Sequence, residues 1–138
     1  MGIGGFFKAE RKEYHLGEPI WITLIILNET EHDAYLFVPQ GRADGIRIAV
    51  KEGGYFQIAD MSKEPEVGLV SEKRLPKGGI YSQRYLLTQW LYLKEPGDYT
   101  VECAIRIESY NVSIREHNAC RVATNVDVST DIHFTILA

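Results

Sequence analysis

Four histidines (His15, His32, His117 and His133) and two cysteines (Cys103 and Cys120) are the side chains best suited to metal or nucleophile chemistry in this chain. Their spacing assembles no site. No two histidines stand at HxH or HxxxH spacing and there is no CxxC pair, so the usual zinc and redox patterns are absent. His32 beside Asp33, and His117 three residues before Cys120, are the fragments a metal centre would use. His117 with Cys120 is also the nearest approach to a thiolate–imidazole pair, but such pairs are assembled from distant segments in an electropositive setting. Carboxylates lie close together as Glu29 with Glu31 and Glu64 with Glu66. An acid–base pair needs apolar shielding to split its two pKa values, and these sit in polar turns. The glycines of GIGG and KGG do not follow a strand and open a helix, as a phosphate loop must, and there is no GxSxG elbow. No catalytic residue, cofactor-binding residue or metal ligand is therefore assigned, and neither enzyme chemistry nor a cofactor is expected.

The bulk properties exclude further classes. A length of 138 residues suits one domain, residues 1–138, with enough chain to bury a core without staples. The net charge of −4, with both signs interspersed, offers no basic face to displace counterions from phosphates, so nucleic acid is not an expected partner. It offers no polybasic lipid anchor either. No apolar run reaches the roughly 18 residues of a membrane helix. The longest, IWITLIILN, is short and β-branched. The opening MGIGGFF lacks the basic and long apolar regions of a signal peptide, and Phe6 stands where a myristoylation pattern needs Ser or Thr. Cys103 and Cys120 read as reduced thiols, one in the core and one in a loop; a disulfide is the alternative and would need an oxidising compartment.

The elements read as β nearly throughout. Phe7–Leu16 is a polar edge strand closed by the breakers Gly17 and Pro19. Ile20–Asn28 is apolar on both faces, which predicts a central strand with a covered outer face. Asn28 ends it, and although Asn28-Glu29-Thr30 and Asn111-Val112-Ser113 fit the glycosylation pattern, Asn28 reads as the turn residue. AYLFV is a short strand before Pro39. IRIAV and YFQIA read as the arms of a hairpin around Glu52-Gly53-Gly54. Residues 61–79 read as a long charged connection. The alternation of IYSQRYLLTQWLYL breaks near Leu86-Leu87, as a bulge or one helical turn around Thr88 to Trp90 would cause. The cleanest strand, DYTVECAIRIE, buries Tyr99, Val101, Cys103, Ile105 and Ile107; the last, VSTDIHFTIL, buries Val128, Thr130, Ile132, Phe134 and Ile136. A connection of about seventeen residues, SYNVSIREHNACRVATN from Ser109, lies between them, long for such a corner. This pattern predicts an all-β fold: a single antiparallel immunoglobulin-like β-sandwich of about seven to nine strands, with a small barrel as runner-up.

GEPIWITLIILNET, followed much later by WLYLKEPGDYTVE, resembles the immunoglobulin-like sandwiches of bacterial secreted and cell-envelope proteins. The opening strand there begins Gly-Glu-Pro-aliphatic and ends in Asn, and an aliphatic-x-x-Pro-Gly-x-Tyr unit comes later. Similar signatures occur in the intracellular proteinase-inhibitor family of bacilli and in sandwich modules of secreted metallopeptidases. The resemblance spans Leu16 to Val101 and implies a fold and an exported or envelope setting. The chain departs from antibody domains: no Cys in Ile20–Asn28 faces Cys103, and Tyr99 lies four residues before Cys103 where a tyrosine corner uses two. A Tyr just after Pro96-Gly97 still reaches nearby backbone with its hydroxyl. Pro96-Gly97 itself reads as a hairpin corner with positive φ at the glycine.

With no catalytic constellation, the expected role is a non-enzymatic protein-interaction or accessory module with a protein partner. The alternatives are a proteinase inhibitor acting through a protruding loop, at residues 61–79 or 110–125, and a small metal-binding protein using His117, Cys120 or His133. Most of the eight Tyr, five Phe and two Trp are expected in the core. Phe6, Phe7, Tyr55, Phe56 and Tyr110 lie near loops or the chain's polar end, and an exposed cluster of them would mark an interface.

Overall fold

The computed structural model describes residues 2–38, 45–58, 71–116 and 120–138. These form strands β1 (Ile3–Ala9), β2 (Glu13–His15), β3 (Trp21–Asn28), β4 (Ala34–Val38), β5 (Arg47–Glu52), β6 (Phe56–Ile58), β7 (Ser71–Leu75), β8 (Ile80–Leu86), β9 (Leu91–Leu93), β10 (Gly97–Tyr110) and β11 (Ala123–Leu137). A 3-10 turn, Leu87–Gln89, links β8 to β9. One sheet has the order β1-β3-β8; the other has the order β2-β11-β10-β4-β7, with β5 also on β10.

The connectivity is that of an immunoglobulin-like sandwich. Strands β1, β3 and β8 occupy the places of A, B and E, while β4 with β5, β10 and β11 occupy those of C, F and G. Strands β4 and β5 both run antiparallel to β10, opposite Glu108–Tyr110 and Thr100–Ala104, so they are two stretches of one strand line. Pairing is antiparallel throughout the described strands except between β2 and β11, which run parallel.

The core follows the alternation. Ile22, Leu24 and Ile26 of β3 are fully buried against Tyr99, Val101, Cys103, Ile105 and Ile107 of β10 and Val128, Ile132, Phe134 and Ile136 of β11. At the end of β3 the side chain of Asn28 is buried and fully bonded. Its Nδ2 donates to the carbonyls of His32 (2.9 Å) and Leu75 (3.0 Å), and its Oδ1 accepts from the Thr30 amide (3.0 Å) and hydroxyl (2.5 Å). Asn28 is thus the turn residue its position suggested, with its amide committed inside the protein.

Several local expectations need correction. The single first strand is two, and they belong to different sheets. It starts earlier, because the glycines of IGGFF join β1 and Phe7 is a core residue. The Gly53-Gly54 hairpin does not form: β5 pairs with β10 and β6 pairs with β9. The glycines serve close approach instead. A Cβ on Gly53 would lie 2.2 Å from the Tyr99 ring, and one on Gly54 would lie 2.8 Å from Glu95 Oε2. Likewise Pro96-Gly97 is no hairpin corner, since β9 pairs with β6 and β10 with β11. Gly97 does carry the positive φ expected of it, +138°. The connection proposed for residues 61–79 lies outside the described residues as far as 70, and from Ser71 it is β7, paired with β4. The later connection is also shorter than expected, because β10 runs to Tyr110 and β11 begins at Ala123.

Candidate functional site

One apolar surface is the outer face of β1-β3-β8. Alternation turns Ile22, Leu24 and Ile26 inward, so Trp21, Thr23, Ile25 and Leu27 must turn outward. Register then sets three rows across the sheet: Lys8, Thr23 and Arg84; Phe6, Ile25 and Ser82; Gly4, Leu27 and Ile80. Ile25 and Leu27 are half-buried by their neighbours in the same sheet, while Phe6 is 41 % and Ile80 is 68 % exposed. The central position expected for β3 is correct. Among the described residues, no element provides the cover expected for its outer face.

Charged groups bound this patch. At one end the Arg84 guanidinium stacks on the Trp21 ring, 4.3 Å from its centroid, and bonds Glu10 at 2.7 Å. Lys8 beside it makes no ion pair among the described residues. At the other end Glu29, also without an ion pair, rims a hollow of about 310 Å³ lined by Gly2, Gly4, Phe6 and Leu27.

A second surface lies on the outer face of the other sheet, near the β10–β11 connection. Phe37 and Tyr110 meet edge to face at 5.3 Å, and the Arg121 guanidinium sits 3.9 Å over the Tyr110 ring. Arg121 Nε and Nη2 are buried and make no hydrogen bond among the described residues. Asn111 ties the neck of this connection, donating to the Cys120 carbonyl at 3.1 Å and accepting from the Val122 amide at 2.7 Å.

The five aromatics singled out in the sequence do not gather on one face. Phe7 is in the core, Phe6 is on the three-stranded sheet and Tyr110 is on the other sheet. Tyr55 and Phe56 lie by the small β6–β9 pair, where Tyr92 is also exposed. Ile25, Leu27 and Ile80 complete the patch around Phe6, and the two apolar faces of Ile20–Asn28 were the signal for it.

The candidate chemical residues stay apart. Asp33 Oδ2 accepts from Arg74 at 2.7 Å and Oδ1 accepts from the Lys77 amide, and the guanidinium holds this carboxyl below the usual range. His133 Nδ1 lies 2.9 Å from the Thr100 hydroxyl. Glu31 pairs with Lys77. His117, Glu64 and Glu66 lie outside the described residues, which hold no group of three or more His, Cys, Asp or Glu able to bind a metal. Cys103 and Cys120 are both free thiols; Cys103 is buried, and burial pushes it up to about 12. No helix among the described residues is long and apolar enough to cross a membrane.

No family model and no curated protein matches the chain. Among solved structures, the ASH / PapD-like domain of human CEP192 (PapD-like domain 7) is similar at 12 % identity, over 95 % of this chain and 84 % of that chain, with a TM-score of 0.36. A likeness that slight carries no argument about role.

Proposed function

We propose that this chain is a non-enzymatic protein-interaction module whose partner docks on the outer face of β1-β3-β8. One observation carries the reading: Phe6, Ile25, Leu27 and Ile80 form a contiguous apolar patch on a sheet face that nothing in the described chain covers. Exposed apolar residues scattered singly are ordinary; a joined group rimmed by charge is what docking faces show. Removing such a patch from water stabilises a complex by about 25 cal/mol per Å² of apolar surface. A flat, strand-built face positions its side chains through backbone pairing, so it is formed before any partner arrives.

The test is site-directed photo-crosslinking in the native host. A photoreactive residue at Ile80 should capture a discrete protein, whereas the same residue at exposed Asp127, on the other sheet, should not. Equal yields from the two positions, or none from Ile80, would overturn the reading.

A further inference from the structure

Deepening that reading, and resting on it, we infer that the partner on the outer face of β1-β3-β8 is a second copy of this chain. The pattern of large and small residues on the face is self-complementary. Place a two-fold axis in the plane of the face, crossing the strands midway between the Phe6-Ile25-Ser82 row and the Gly4-Leu27-Ile80 row. The operation lays each strand antiparallel over its own copy and exchanges those two rows, as an isologous contact must. Phe6 of each copy then faces Gly4 of the other, Ile80 faces Ser82, and Leu27 faces Ile25. Each large exposed side chain meets the smallest residue of the opposite row, which is how facing layers interdigitate.

The hollow supplies the space. Apart from the adjoining residues of its own strand, nothing lies within 4 Å of where a Cβ on Gly2 or Gly4 would be, and the cavity of about 310 Å³ above them is walled by Phe6, Leu27 and Glu29. A phenyl ring entering from a second copy fills volume that the monomer leaves to solvent.

The charges obey the same operation. It carries the row of Lys8, Thr23 and Arg84 onto the level of Gly2 and Glu29, whose amide bonds the Gly2 carbonyl across the sheet. Glu29 of one copy therefore comes down over Thr23 of the other, beside Lys8. Among the described residues these two ionic groups of the face make no ion pair, whereas Arg84 is held by Glu10. Sheets that pack face to face cross at about 30°, a displacement of a few ångströms at the patch ends that a lysine spans.

Dimensions set the strength. Three strands about 4.8 Å apart, and about 20 Å from Gly2 to Lys8 at 3.3 Å per residue, give a face of a few hundred Å² per copy. A standard stable complex buries about 800 Å² per partner, so this dimer is weak.

Sedimentation equilibrium on the whole chain from about 10 µM to 1 mM tests it, a range that covers weak association. A reversible monomer–dimer equilibrium is expected, and Gly4→Arg, which fills the hollow without touching the core, should weaken it at least tenfold. Lys8→Glu and Glu29→Lys should each weaken it severalfold, and the double variant Lys8→Glu/Glu29→Lys should restore it. That rescue is possible only if the two residues meet across the interface. A chain that stays monomeric throughout, or a dimer indifferent to Gly4→Arg or not rescued by the charge exchange, would overturn the second copy as partner. Crosslinking from Ile80 to a different protein, alongside a monomer, would sink this inference and leave the interaction module standing.

Discussion

The Tyr99 hydroxyl donates to the backbone carbonyl of Glu95 at 2.5 Å, locking the entrance to β10 against the turn before it. The ring beneath that hydroxyl stacks on Phe134 at 5.8 Å and carries Gly53 on its flank. One aromatic side chain thus ties β10, β11 and the end of β5 together. Tyr99→Phe keeps the stacking and loses the bond, so it should cost about 1 kcal/mol. Gly53→Ala places a methyl inside the ring's contact distance and should cost more, about 2 kcal/mol or above. Tyr99→Leu combined with Gly53→Ala should cost less than the sum of the single changes, because the clash disappears with the ring. Urea unfolding of the four variants checks the order, and strict additivity would show that the two residues do not press on each other.

Gly97 tests the same corner from the backbone side. Its φ of +138° lies where a β-branched side chain is strained, so Gly97→Val should lower stability by more than about 1 kcal/mol. An unchanged melting temperature would contradict the conformation.

Asn28 joins three segments through one buried amide. Asn28→Ala leaves the Leu75 and His32 carbonyls and the Thr30 amide without their partner, and should cost about 2–4 kcal/mol. Asn28→Asp should be at least as damaging, because a carboxylate cannot donate to the two carbonyls. Chemical denaturation decides; an aspartate variant as stable as wild type would mean the donor side is dispensable. The pattern Asn28-Glu29-Thr30 should stay unglycosylated in a folded chain expressed through a glycosylating host, as intact-mass measurement would show.

Cys103 predicts a pH dependence with a definite sign. Burial raises its thiol from 9.0 to about 12, so the folded chain keeps a proton that the unfolded chain releases. That contribution to stability is complete below about pH 9 and is lost as the pH climbs toward 12. Cys103→Val should flatten the fall in stability over this window relative to wild type. In the native state at neutral pH a thiol reagent should titrate one cysteine per chain, exposed Cys120, and two in denaturant. Two fast-reacting thiols in the folded protein would contradict the burial of Cys103.

Legibility in the sequence followed the range of the interactions. DYTVECAIRIE and VSTDIHFTIL showed their buried faces directly, because alternation is a property of a single strand. The break at Leu86-Leu87 was visible for the same reason, and the structure places a 3-10 turn there. Gly53-Gly54 misled because a tight turn and a close pass over a distant ring ask for the same residue type. Only the position of Tyr99, more than forty residues on, separates the two. The candidate face was half visible: two apolar faces on Ile20–Asn28 marked a central strand, and the outer one was read as covered. Whether a further layer exists depends on the rest of the fold, and Ile80 and Phe6 reach that face only through pairing with Leu27 and Ile25.

The most direct test of the interaction face is the paired change Phe6→Lys/Ile80→Lys, with stability and association measured on the same sample. Both side chains point away from the core, so the melting temperature should stay within a few degrees of wild type while every contact through the face is lost, including crosslinking from a photoreactive residue at Leu27. A variant that unfolds would contradict a bare docking face, because those residues would then be holding the monomer together. A variant that keeps its melting temperature and its partner would show that the partner binds elsewhere.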